Sequence, residues 1–154
     1  MKIADVHAHV FPEKLAVKAA GSTGQFYGTE MYCEASMERL VAEEEKAGVS
    51  RYVISSSAVV PKQVRSIVEF LAEARKGYPE CISFGSIYPG MDGYEEVLDE
   101  LQALGSRGLK IHPDFQKLPI DDPSGIETYR SIARRGLPVL MHMGDNRYDF
   151  SSPE

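Results

Sequence analysis

The sequence is poor in cysteine, with only Cys33 and Cys81 in 154 residues. Two thiols cannot build a disulfide framework, so the chain reads as one from a reducing, cytoplasmic compartment. It also lacks any apolar run near the ~20 residues that span a bilayer, which argues against a membrane partner. The opening MKIADVHAHV has no basic stretch followed by an apolar one and does not read as a secretory signal. A basic surplus is missing too. Lys and Arg total 17 against 23 Asp and Glu, a formal charge of −6, whereas a nucleic-acid backbone calls for the opposite sign. No G-x-G-x-x-G follows the first candidate strand, and Gly21, Gly24 and Gly28 lie too far past it to make one. Histidine is scarce as well, at four residues.

What is present is an ordinary globular composition, 43% hydrophobic and 26% charged, in a length that suits about one domain. Short apolar runs at Ile3–His9, Arg51–Ser56, Cys81–Tyr88, Gly108–His112 and Pro138–Met143 predict strands buried on both faces. Segments of helical period lie between them. Ser36 is the expected N-cap of one that carries Met37, Leu40, Val41 and Ala47. Pro61 suits the first turn of the next, whose stripe is Val64, Ile67, Val68 and Leu71. Val97, Leu98, Leu101 and Leu104 form a third stripe, and Ile126, Tyr129, Ile132 and Ala133 a fourth. Gly48, Gly77, Gly105 and Gly136 stand at the ends of these helices. The chain is therefore α/β, built of consecutive βα units on a parallel sheet. A doubly wound sheet and a (β/α)8 TIM barrel both fit that rhythm. From Val10 to Ala35 no clear period holds. The segment 10–35 reads either as an active-site loop or lid, or as a helix from Pro12 to Ala20 plus a connection.

All four histidines, His7, His9, His112 and His142, fall at the C-terminal end of a candidate strand. That end is where a barrel gathers its chemistry, so the histidines favour the barrel. Residues two apart in a strand share a face, so His7 and His9 converge, with Asp5 in the same phase and Val6, Ala8 and Val10 opposite. Imidazole suits zinc and its neighbours, and a catalytic zinc takes about three protein ligands. His142 follows Leu140 in phase and could reach the same ion around a closed barrel. Lys110 and His112 share a phase on the fourth strand. Lys110 is either a carboxylate-binding or metal-bridging group, or a lysine snorkelling to solvent. His112 reads as a hydrogen-bond donor or substrate contact, with Asp114 and Gln116 as weaker candidates. Asp145, Arg147 and Asp149 follow the fifth strand, where charge can orient a substrate.

Together DVHAHVFP, GLKIHP and PVLMHMGD resemble the amidohydrolase superfamily, in particular its amidohydrolase-2 branch of TIM-barrel metal hydrolases and decarboxylases. The resemblance runs along essentially the whole chain. It implies metal ligation by His7, His9 and His142, and a zinc-like divalent cation, with manganese or iron as alternatives. Metal-assisted hydrolysis of an amide, ester or lactone is the expected reaction, and by their placement Lys110, Arg147 and Asp145 are the candidate contacts to a small, anionic substrate, with His112 and Lys110 as candidate catalytic groups. The resemblance also implies a strand-6 histidine and a strand-8 aspartate that this sequence lacks. A full barrel takes ~250 residues, so residues 1–154 are expected to represent strands 1–5, with strands 6–8 supplied by a longer protein or by another chain, a homo-oligomer included. A nonoxidative decarboxylase of the same branch is the nearest alternative. A phosphoesterase opening with H-x-H would carry more histidines and carboxylates, and a TatD-like nuclease a glutamate in place of Lys110 and a basic face. A non-catalytic metal-binding or interaction fragment is the remaining alternative.

Overall fold

The computed structural model describes residues 2–143. Asp145, Arg147 and Asp149 lie outside the described residues. Five parallel strands run in the order β1 (Ile3–His9), β2 (Val49–Ser55), β3 (Cys81–Ser86), β4 (Leu109–Ile111) and β5 (Val139–Met141), each paired with the next. Between them lie α1 (Glu13–Tyr27), α2 (Met37–Ala47), α3 (Val64–Lys76), α4 (Tyr94–Ala103), a four-residue α5 (Pro113–Gln116) and α6 (Pro123–Arg134). Parallel strands in sequence order with helices between them form a half-barrel, the first five βα units of a TIM barrel.

Helix ends follow local chemistry. The Ser36 hydroxyl accepts the Arg39 N–H at the start of α2, and Asp122 caps α6 by accepting from Ser124 N–H. Pro61 opens the 3₁₀ turn that leads into α3. Gly48 ends α2 in the left-handed conformation that glycine tolerates.

The core lies between the sheet and the helices. Leu71 of α3 packs with Tyr52, Ile54 and Cys81, and Leu98 and Leu101 of α4 pack with Leu109 and Ile111 of β4. Each of these leucines is fully buried, worth roughly 2 kcal/mol apiece in removed apolar surface. Registers then assign the opposite face. Ser86 pairs with Lys110, and Lys110 with Leu140. Because Leu109 and Ile111 face the helices, Lys110 and Leu140 face the barrel interior.

Two expectations are corrected here. β1 does not alternate strictly. Asp5 pairs with Tyr52 and Ala8 with Ile54, three steps on β1 against two on β2. Tyr52 and Ile54 belong to the helix-facing core, so this bulge puts Asp5 on the helix side with Ala8, out of phase with the His7 and His9 rings, while its Oδ1 accepts the His7 N–H at 2.8 Å. Asp5 there meets Glu44 of α2, whose carboxyl is pushed up to about 7 by burial and by Asp5. The bulge also leaves Val6 63% exposed instead of covered by helices. The second correction concerns the segment after β1, which is helical over Glu13–Tyr27, seven residues beyond Ala20.

Candidate metal centre

β1 carries His7 and His9 with their Nε2 atoms 3.1 Å apart and their rings at 62°. His9 Nδ1 lies 3.5 Å from the Ser55 hydroxyl, and the ring also bonds the Ser55 backbone. A proton held on Nδ1 by Ser55 would leave the Nε2 lone pair facing His7. Burial, aided by Lys110 and His7, holds His9 down at about 4. His7 is lowered as well, by burial first and then by Lys110. Both are therefore neutral at pH 7, the state in which imidazole binds metal.

Lys110 is fully buried, and its ammonium sits 3.1 Å from His7 Nε2. The snorkelling reading is thus overturned. The side chain spends its length inside the barrel, and burial brings its pKa to about 8.

His112 was expected to end the fourth strand. Instead that strand stops at Ile111, and His112 is the N-cap of α5. Its Nδ1 accepts the Phe115 N–H at 3.4 Å, its Nε2 lies 3.0 Å from the Tyr27 hydroxyl, and its ring stacks on Phe115 at 3.7 Å and 2°. Burial first, then His142, Lys110 and His9, push it down to about 3.

His142 follows β5 directly and is held by its N–H to the Ile111 carbonyl, 3.0 Å. Its ring stacks on His112 at 4.0 Å and 11°, and its Nε2 is 3.4 Å from Tyr27 Oη and 3.6 Å from Asp114 Oδ2. Asp114 is 2% exposed, and among the described residues neither carboxylate oxygen has a hydrogen-bond partner. A buried carboxylate without partners is costly and calls for a cation or donor nearby. Among the described residues, ligand atoms of His112, Asp114 and His142 lie within 4.8 Å of one another. His7 and His9 form a pair outside that group, with Lys110 beside it. Neutral His7 and His9, with Nε2 atoms 3.1 Å apart, fit a divalent cation of the zinc–manganese–iron series, and the buried Asp114 carboxylate stands apart from them beside His142.

Two residues matter more here than their sequence suggested. Tyr27 sits at the end of a helix in the segment without clear period, so nothing marked it. Asp114 stands two positions after His112, a spacing that on a strand means a shared face but here crosses into α5. The tight H-P-D-F turn was the available signal.

A profile of the amidohydrolase family matches residues 4–154. No curated protein matches significantly. Among solved structures, a probable 2-pyrone-4,6-dicarboxylic acid hydrolase from Acinetobacter baumannii with citric acid bound is similar at 18% identity and TM-score 0.62, over 92% of this chain and 49% of that one. A 5-carboxyvanillate decarboxylase from Novosphingobium aromaticivorans, with manganese and a nitrobenzoic acid bound, is similar at 15% identity and TM-score 0.72, over 94% and 51%. A 2,6-dihydroxybenzoate decarboxylase complexed with 2,6-dihydroxybenzoate is similar at 17% and 0.64, over 99% and 53%. The chain thus spans about half the length of these structures, and at such identities the likeness speaks for the fold. Profile, strand order and the histidine-lined end of the sheet agree: the chain belongs to the amidohydrolase family.

Proposed function

We propose that the chain supplies the metal site of a hydrolase that cleaves an amide, ester or lactone in a small anionic substrate, with His7, His9 and His142 as ligands. The observation that carries this reading is the convergence of neutral imidazoles and a buried ammonium at one end of the sheet, with Nε2 of His7 contacted by both His9 and Lys110 at 3.1 Å. A bound divalent cation supplies Lewis-acid polarisation and lowers the pKa of water from about 15.7 toward ~7. Lys110, at about 8, is mostly ammonium at pH 7 and pairs with a substrate carboxylate in a site sheltered from solvent. His112, neutral and hydrogen-bonded at Nδ1, offers its Nε2–H to a substrate oxygen or to Tyr27. Arg147 and Asp145 join the substrate contacts in this proposal. Zinc is the preferred ion, with manganese or iron as substitutes. Free Cys33 and Cys81 suit a cytoplasmic setting, and the partner is a small molecule, with assembly as a homo-oligomer open to measurement.

Nonoxidative decarboxylation is the second reading, and one observation favours it. The similar solved structures include decarboxylases of 5-carboxyvanillate and 2,6-dihydroxybenzoate as well as a hydrolase. A single assay separates the two. Purified protein with zinc or manganese is offered a pyrone dicarboxylate lactone and a set of hydroxybenzoates, while ring opening and carbon dioxide release are followed. Ring opening alone supports the first reading and gas release alone the second. Bound metal below about a tenth of an equivalent after zinc, manganese or iron loading sinks both.

A further inference from the structure

The four-residue helix α5 touches both stacked imidazoles, and each contact bears on where a ring proton sits. The Phe115 N–H points at His112 Nδ1, 3.4 Å away, so that nitrogen must be bare. The proton of neutral His112 is therefore on Nε2, beside Tyr27 Oη at 3.0 Å. This argues against His112 as a metal ligand, although it lies within the compact group with Asp114 and His142. One ring nitrogen is taken by a backbone donor and the other carries the proton.

Asp114 addresses the second ring. Its Oδ2 is 3.6 Å from His142 Nε2, just longer than a hydrogen bond, and neither of its oxygens has another partner. A bare Nε2 facing a buried carboxylate would set lone pair against lone pair, whereas an Nε2–H satisfies the orphaned oxygen after a small ring rotation. A metal-binding histidine commonly donates its other N–H to a carboxylate in this manner. α5 is firmly placed for the task. Gln116 Nε2 donates to the carbonyls of Ala58 at 3.1 Å and Ile87 at 2.8 Å, and the Tyr88 hydroxyl donates to the Gln116 carbonyl at 3.1 Å. These bonds tie α5 to the segments that follow β2 and β3.

We propose that α5 sets the tautomers of both imidazoles: Phe115 N–H confines the His112 proton to Nε2, and Asp114 accepts the His142 Nε2–H, leaving Nδ1 of His142 as the nitrogen offered to the cation. Asp114 is thus a positioning residue that acts through His142, and His112 is a donor outside the ligand set. The part concerning the cation rests on the metal reading above. The tautomers themselves do not.

The test uses ¹⁵N imidazole spectra of metal-free protein at pH 7.5, with His112→Gln and His142→Gln to assign the signals. Both rings are expected as the Nε2–H tautomer, and a proton on Nδ1 of either ring overturns the proposal. Zinc affinity is then measured by competition with a chromophoric chelator. Asp114→Asn is expected to weaken zinc by ~10–100-fold. A melting temperature within a few degrees of the unsubstituted chain separates that loss from unfolding. Affinity within ~3-fold of the unsubstituted chain, in a protein whose His142→Ala variant does lose zinc, overturns the positioning role alone. Unchanged zinc affinity in His142→Ala instead sinks the reading of His142 as a ligand. A second zinc equivalent that vanishes in both Asp114→Asn and His112→Gln makes the compact group a cation site of its own and overturns the proposal.

Discussion

Lys110 Nζ lies 3.1 Å from His7 Nε2, joining residues 103 positions apart across the interior face of the half-barrel. The contact is sheltered, because Lys110 has no exposed surface. Burial, and after it this ammonium, lowers the pKa of His7, and the ammonium sets one positive charge inside the barrel.

Metal retention tests the ligand assignment. His7→Ala, His9→Ala and His142→Ala should each lower zinc affinity by at least ~100-fold in chelator competition, more than a lost supporting contact costs. His112→Gln should stay within a few-fold. Equal losses in all four variants would return His112 to the ligand set.

Anion binding should follow the Lys110 charge. Lys110→Met is expected to raise KM for a carboxylate substrate by ~10-fold or more, the scale of a charge-assisted contact, with bound metal retained. Burial has lowered the ammonium to about 8, so its charge is present below that pH and lost above it. Competition by citrate should weaken about tenfold per pH unit above ~8. A flat profile from pH 7 to 9.5 would separate the anion site from Lys110.

Acid stability of the metal-free protein carries two opposing contributions. His9 and His112 titrate at about 4 and about 3 when folded, against 6.5 otherwise. The unfolded chain therefore binds more protons below pH ~6.5, and stability falls as pH drops through that window. Glu44 runs the other way. Folded it titrates at about 7, against 4.5 otherwise, so it favours the native state as pH falls from 7 toward 4.5. Glu44→Gln removes the compensation. Between pH 7 and 5 that variant should lose roughly 4–8 °C more in Tm than the unsubstituted chain, for ~2 kcal/mol. An identical pH slope by calorimetry would refute the balance.

The turn into β4 has no room for a side chain. A Cβ on Gly108 would lie 2.7 Å from the Phe84 ring and 2.8 Å from the Pro138 carbonyl oxygen. Because Leu109 N–H donates to that carbonyl at 2.9 Å, the backbone cannot move aside without breaking the β4–β5 ladder. Gly108→Ala should cost ~2 kcal/mol or more by denaturant titration. Gly48→Ala, left-handed but with open space around it, should cost ~1 kcal/mol. The reverse ranking would contradict this packing.

Much of the architecture was legible in the chain because strand and helix periods are local. The runs around Ile54, Phe84 and Lys110, and the cap at Ser36, sit within a residue or two of their elements. Where reading failed, a non-local partner was deciding. Asp5 looked in phase with His7 until pairing with Tyr52 and Ile54 imposed a bulge. Lys110 looked able to reach solvent until the surrounding strands closed over it. Tyr27 could not be singled out because its only distinction is lying above His112 and His142, 85 and 115 residues away.

By itself the sequence determined the alternation of strands and helices, the family, and the placing of every histidine at a strand's C-terminal end. These follow from periodicities and turn residues spanning a few positions, which act before any distant contact exists. Only the tertiary structure decided which face each side chain serves, which imidazoles stack on one another, and that Asp114 is buried beside His142. Burial and hydrogen-bond geometry arise from residues brought together across the sheet, and no local pattern encodes them.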